Sequence, residues 1–231
     1  MIGVFDSGVG GLNSYRELRR LLPDEDIIYL ADRKNAPYGT KDRDTILNLT
    51  KNNIRALKDM GADEVLIACC TASSVYPLLN DEERRRAVPI IEPAAREAAK
   101  EGDRIAVIAT EETVRSHAFG KAIERINPCA CVTEIPTQIL VSLVELGARD
   151  GELLPREGEL LDRIASEVLC AGADALILGC THFSSLKGEL GARLCGMRII
   201  DAAVIGAREL ALRHGVRRGA VSSGRVTYTE Q

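Results

Sequence analysis

Short apolar runs rich in Val and Ile recur along the chain, at 2–5 (IGVF), 27–31 (IIYLA), 64–68 (EVLIA), 88–91 (VPII), 104–109 (RIAVIA), 175–178 (ALIL) and 198–200 (RII). Between several of them lie stretches with helical apolar spacing: 11–22, 43–60, 93–101, 112–126, 157–171 and 203–213. Continuous apolar strands alternating with helices specify a parallel sheet covered on both faces. The crossovers between such strands are right-handed. The fold class that follows is α/β.

The two halves of the chain echo each other. Each begins with a strand running into a polar turn, VFDSGVGG at 4–11 and VIATEETVRS at 107–116. Each later contains an apolar strand that stops at Cys and Thr, EVLIACCTASS at 64–74 and ALILGCTHFSS at 175–185. Two like lobes are expected, each a mostly parallel sheet flanked by helices. The expected division is 1–92 plus 203–231 for the first lobe and 93–202 for the second, with Pro93 opening a helix. The helix at 203–213 is expected to return to the first lobe, followed by a loose tail or one edge strand.

Composition narrows the function classes. A formal net charge of −4, aromatics at 3% and no Trp argue against a nucleic-acid partner, which needs a basic face or stacking rings. The RRR at 84–86 follows DEE at 81–83 and reads as a solvated, charge-compensated helix end. No apolar stretch reaches the length of roughly 18 residues that a membrane span requires. The odd count of seven cysteines, with MIGVF opening the chain, points to the reducing cytosol.

In open α/β sheets the ligand crevice lies beyond the carboxyl ends of the strands. Polar groups stand there at Asp6 and Ser7, at Cys69 to Thr71, at Thr110 and Thr113, and at Cys180 to His182. DSGVGG at 6–11 lacks the Lys-Ser/Thr of a phosphate loop, and Asn13 falls where a third glycine belongs. It reads either as a turn whose backbone N–H groups hold a carboxylate or as a tight strand-to-helix turn alone. Cys69 and Cys180 each end an apolar strand, and a helix is expected after each, whose dipole would favour the thiolate. His182, two residues beyond Cys180, can take or supply a thiol proton. Cys129, Cys131, Cys170 and Cys195 are expected to be inert packing, and His117 and His214 structural. Adjacent cysteines lack zinc-site spacing, so no metal is expected.

These residues match a known family in order along the chain: GVFDSGVGGL (3–12), LLPDEDIIYLAD (21–32), PYGT (37–40), ACCTAS (68–73), IIEPA (90–94), ATEETVRS (109–116) and LGCTH (178–182). Together they make the sequence resemble the cofactor-independent glutamate racemases. The resemblance implies an active site in the cleft between the lobes and interconversion of L- and D-glutamate, supplying D-glutamate for peptidoglycan. It implies a cytoplasmic enzyme with no cofactor, a small-molecule substrate and a possible homodimer. Carried over by position, it makes Cys69 and Cys180 the acid/base thiols and Asp6 and His182 their assisting groups. Ser7, Pro37, Tyr38, Gly39, Thr71, Thr110, Thr113, Glu145 and Thr181 match positions that bind substrate. Cys70 joins that set as a departure, standing where the family usually has Asn and replacing an amide with a weakly hydrogen-bonding thiol. Phe183 and Ser184 replace the more familiar Tyr-Pro. The alternatives are a racemase of aspartate or another amino acid, or a catalytically inactive binding paralogue.

Overall fold

The computed structural model describes residues 1–146, 155–218 and 226–230. The first part of the chain runs β1 (Ile2–Asp6), α1 (Leu12–Leu21), β2 (Ile27–Ala31), α2 (Arg43–Asp59), β3 (Glu64–Ile67), the single turn α3 (Cys70–Ser73), α4 (Asp81–Arg86), β4 (Ala87–Pro89) and α5 (Ile91–Ala98). The second part runs β5 (Arg104–Ala109), α6 (Glu111–Ser116), α7 (Ala118–Glu124), β6 (Cys131–Pro136), α8 (Ile139–Leu146), α9 (Pro155–Cys170), β7 (Ala175–Gly179), α10 (Lys187–Arg193), β8 (Arg198–Asp201), α11 (Ala202–Arg218) and β9 (Val226–Glu230).

Two parallel sheets result, in the orders β4-β3-β1-β2-β9 and β6-β5-β7-β8. In the first, β1 lies between β2 and β3, with Gly3 opposite Ile28 and Val65. In the second, β5 lies between β6 and β7, with Ala106 opposite Thr133 and Leu176. β1, β2, β3 and β7 are buried from end to end and β5 from Ile105 onward, as a sheet covered on both faces demands.

Strand alternation divides the core. Ile2 and Val4 point into one cluster while Phe5 points into another. Likewise Ile105 and Val107 face the first cluster and Ala106 and Ile108 a third. The shared cluster joins both sheets through Leu18 of α1, Ala94 and Ala98 of α5, Phe119 and Ile123 of α7, and Leu210 of α11. α11 packs against α1 and α5, so the two sheets flank a common helical layer.

Local sequence explains most boundaries and several departures from expectation. α4 is the solvated helix the DEERRR pattern implies: Asn80 and Glu83 form a reciprocal capping box, the acids occupy its first turn and the arginines its last. The stretch 112–126 is two helices, because His117 adopts a left-handed conformation (φ 50°) and redirects the chain between α6 and α7. Histidine is among the residues that tolerate that region best. β4 ends at Pro89 and α5 begins at Ile91, so Pro93 sits in the first turn, where a missing N–H costs nothing. β6 carries no period-two signal because it is a half-exposed edge strand. β9 pairs with β2 at the edge of the first sheet. No helix among the described residues is long and apolar enough to cross a membrane.

Candidate active site

The site lies beyond the carboxyl ends of β1, β3, β5 and β7. Cys69 and Cys180, one from each sheet, line a single cavity of about 20 Å³.

Each thiol has its own neighbour. Cys69 Sγ donates to Ser7 Oγ at 3.5 Å. Cys180 Sγ lies 3.7 Å from His182 Nδ1. His182 Nε2 in turn sits 3.2 Å from Glu145 Oε1, within ion-pair reach but not aligned as a hydrogen bond. Glu145 is 48% exposed and His182 6%, so the carboxylate stands at the rim of the cavity and the imidazole inside it.

Asp6 is fully buried at the end of β1, which would be costly without partners. Its Oδ1 accepts from the Gly8 N–H at 2.8 Å, and its Oδ2 accepts from the Thr181 hydroxyl at 3.1 Å. The carboxylate therefore ties the first-lobe turn to the second-lobe turn. Gly10 allows the same approach: a Cβ there would lie 2.4 Å from Thr181 Oγ1 and 2.9 Å from the His182 nitrogen. Asn13 adds a bond to the Thr181 carbonyl at 3.2 Å, so this interlobe contact occupies the place where a phosphate loop would keep its third glycine.

On the other side, three hydroxyls close a ring. Thr71 Oγ1 is 2.9 Å from Thr110 Oγ1 and 3.2 Å from Thr113 Oγ1, and the latter two are 2.8 Å apart. Thr71 and Thr110 line the cavity, and each hydroxyl can turn its proton to an incoming acceptor. Pro37, Tyr38 and Gly39 form a further wall, but the Tyr38 hydroxyl points elsewhere, donating to Asp32 at 2.5 Å and accepting from Asn53 at 2.9 Å.

The model of the Asp/Glu/Hydantoin racemase family matches residues 2–210. The chain belongs to that family. It is 37% identical to the glutamate racemase of Gloeobacter violaceus over 213 residues, covering 91% of this chain and 79% of that one. It is 37% identical to the glutamate racemase of Aquifex aeolicus over 217 residues, 90% and 81% of the two chains. Among solved structures, the glutamate racemase of Francisella tularensis in complex with D-glutamate superposes with a TM-score of 0.83 at 29% identity, covering 100% of this chain and 88% of that one.

The electrostatics of this racemase-family site depart from the expectation of dipole-activated thiolates. Only one helical turn follows Cys69, and a 3-10 run, Thr181–Leu186, follows Cys180. Burial dominates instead. It pushes the Cys69 thiol up to about 11, and the negative charge of Asp6 adds to the effect. Cys180 is raised further by burial, with Cys69, Asp6 and Glu145 adding to it and the His182 backbone N–H opposing. Burial also raises Cys70, which lines the same cavity, and raises Asp6 against the opposing charge of His182. At neutral pH both sulfurs rest as thiols.

Of the remaining cysteines, Cys129, Cys131, Cys170 and Cys195 are exposed rather than packed in the core, so burial as the expected fate of a free cysteine fails for all four. His117 pairs with Glu134 at 2.7 Å, and His214 lies between Glu64 at 2.8 Å and Glu25 at 3.0 Å, both away from the cavity. Gly8, from the turn expected to hold a carboxylate, lines the cavity, as do Ala36, Gln138 and Val141, which were not expected there. Gln138 and Val141 follow the edge strand β6, the least legible part of the sequence.

Proposed function

We propose that this racemase-family enzyme interconverts L- and D-glutamate by removing the α-proton with one of Cys69 and Cys180 and returning a proton from the other. The observation that carries the reading is the pair of buried thiols, one from each sheet, on one small cavity. Inverting a stereocentre through its α-hydrogen needs removal from one face and return to the other, hence two groups. A thiolate on one side takes the α-hydrogen as a proton and leaves its electron pair on the α-carbon. The thiol on the other side then donates its own proton to that pair, and the thiolate has changed sides.

One of the two resting thiols has to lose a proton first. His182 Nδ1 is placed to accept it from Cys180, and Ser7 orients the Cys69 proton. Proton transfer by positioned groups supplies about 10²–10⁴-fold. The remainder of an enzymatic acceleration comes from a closed, water-poor site with donors aimed at the developing charge. Thr71 and Thr110, from opposite lobes, and the N–H groups of the turn at 7–11 are those donors, and they hold the two carboxylates. The cavity is small, and the lobes part for glutamate to enter and close over it. The scheme uses no pyridoxal group, and no lysine is among the described residues that line the cavity. D-Glutamate made in the cytoplasm by this route supplies peptidoglycan.

The test is incubation of the purified protein with each enantiomer of glutamate and of aspartate in D₂O, with no added cofactor. Glutamate of either hand should gain α-deuterium and lose optical activity to the same racemic end point. Aspartate racemised faster than glutamate would transfer the assignment to the smaller acid, and no exchange with either would leave a binding protein.

A further inference from the structure

A buried carboxylate behind the cavity wall has no part in the proton-transfer scheme. Asp32, the last residue of the stretch 21–32, follows β2 and is 1% exposed. Its backbone N–H bonds to the Asp6 carbonyl at 3.0 Å, so it sits beside the strand end that opens the site. A carboxylate in such a place is costly unless its oxygens are satisfied. Three side chains satisfy them. Oδ2 accepts from the Tyr38 hydroxyl at 2.5 Å and from Asn53 Nδ2 at 3.2 Å, and Asn35 Nδ2 donates to Oδ1 at 2.9 Å and to Oδ2 at 3.2 Å. Asn53 Nδ2 also donates to the Tyr38 hydroxyl oxygen at 2.9 Å, which closes a triangle between the end of β2, α2 and the turn at 38–40.

That turn is the wall that spans the cleft. The Tyr38 ring packs in the same buried cluster as Cys69, and both residues line the cavity. Its neighbour Gly39 lies against the second lobe, where a Cβ would come within 2.7 Å of Thr110 Cβ and 2.9 Å of Thr110 Cγ2. Tyr38–Thr40 is a single 3-10 turn, with no strand ladder to fix it. The Tyr38 hydroxyl fixes it instead, and keeps its proton: burial, with the Asp32 carboxylate beside it, holds that phenol well above its ordinary value.

We propose that Asp32 is a positioning residue of the racemase site. Through the Tyr38 hydroxyl it sets the 37–40 wall against Cys69 on one side and Thr110 on the other, so that glutamate meets a preformed pocket. This rests on the racemase reading above. A carboxylate suits the position because three donors converge on it and it offers them acceptors alone. An amide in its place keeps one oxygen for the Tyr38 hydroxyl, whereas a methyl group keeps none. Without the tie, fewer molecules carry a formed wall at any moment. Apparent binding then weakens by that fraction, while the bound complex reacts as before.

KM and kcat for glutamate, from circular dichroism, and Kd, from calorimetry, are compared for the wild type, Asp32→Ala, Asp32→Asn, Tyr38→Phe and the double variant Asp32→Ala/Tyr38→Phe. Asp32→Ala and Tyr38→Phe should each raise KM and Kd roughly 10–100-fold, the range for a hydrogen bond to a charged group, with kcat little changed. Asp32→Asn, which keeps an acceptor, should recover most of the loss. The double variant should be no worse than Asp32→Ala, because both changes remove one tie. Tyr38→Phe, which leaves Asp32 its two asparagine donors, decides alone if Asp32→Ala does not fold. Wild-type KM in Tyr38→Phe, losses that add in the double variant, or binding as weak in Asp32→Asn as in Asp32→Ala overturns the inference. So does a kcat that falls at unchanged KM, the mark of a structural defect that inactivates part of the protein. Absence of turnover by the wild type would instead overturn the racemase reading, and the Kd series would still decide whether Asp32 shapes the pocket.

Discussion

The two thiols sit at equivalent places in their lobes, yet their surroundings differ. Cys69 follows β3 and has a neutral hydroxyl, Ser7, as its neighbour. Cys180 follows β7 and has an imidazole that is itself in reach of a carboxylate. Burial raises both, but only Cys180 has an ionisable side chain as its hydrogen-bonding neighbour, placed to take the proton. The internal echo of the sequence thus produces a site alike in its reactive atoms and unlike in how each is deprotonated. An equilibrium between enantiomers is unity, so the asymmetry cannot favour a direction at equilibrium. It can only divide the work between the two halves of the cycle.

Breaking either reactive atom should have the largest effect. Cys69→Ala and Cys180→Ala should each lower racemisation by at least about 10²–10⁴-fold, measured by circular dichroism of glutamate. Survival of either variant at near wild-type rate removes the comparison altogether. Replacing the neighbours should sharpen it. His182→Asn should cost about 10–100-fold in kcat, whereas Ser7→Ala should cost about 3–10-fold, in line with charged and neutral hydrogen bonds respectively. Equal losses would mean that the two sides are deprotonated in the same way.

The smallest effect concerns the resting enzyme. A raised thiol pKa means less thiolate at a given pH, so with Cys69 near 11 about one molecule in a thousand carries that thiolate at pH 8. Iodoacetamide at pH 8 should label the exposed Cys129, Cys131, Cys170 and Cys195 and spare Cys69, Cys70 and Cys180. Labelling of Cys69 should rise as pH climbs towards 11, as mass spectrometry of tryptic peptides would show. Rapid labelling of Cys69 at pH 7 would mean an activated thiolate.

Much of this was legible in the residues, for definable reasons. The inner strands are β-branched runs buried on both faces, a pattern that periodicity reads well. The strand ends Asp6, Cys69, Thr110 and Cys180 follow from the rule that α/β clefts open beyond the carboxyl ends. What escaped is what depends on three-dimensional context. β6 is a half-exposed edge strand, and α8, ILVSLVEL, is so apolar that its sequence does not distinguish strand from helix. The break at His117 depends on a single left-handed residue. A dipole expected to favour thiolates was outweighed by burial, which cannot be summed from a string of letters. Gln138 belongs to no motif, and its place in the cavity wall follows only from the fold.

The most direct test is where deuterium goes in the first few per cent of reaction in D₂O. Two opposed thiols, each supplying its own proton, predict that newly formed D-glutamate carries deuterium at the α-carbon while unreacted L-glutamate remains protiated, and the reverse when D-glutamate is the starting acid. Protium returned to the inverted product, or deuterium gathering in the unreacted acid as fast as in the product, would mean that one group serves both faces.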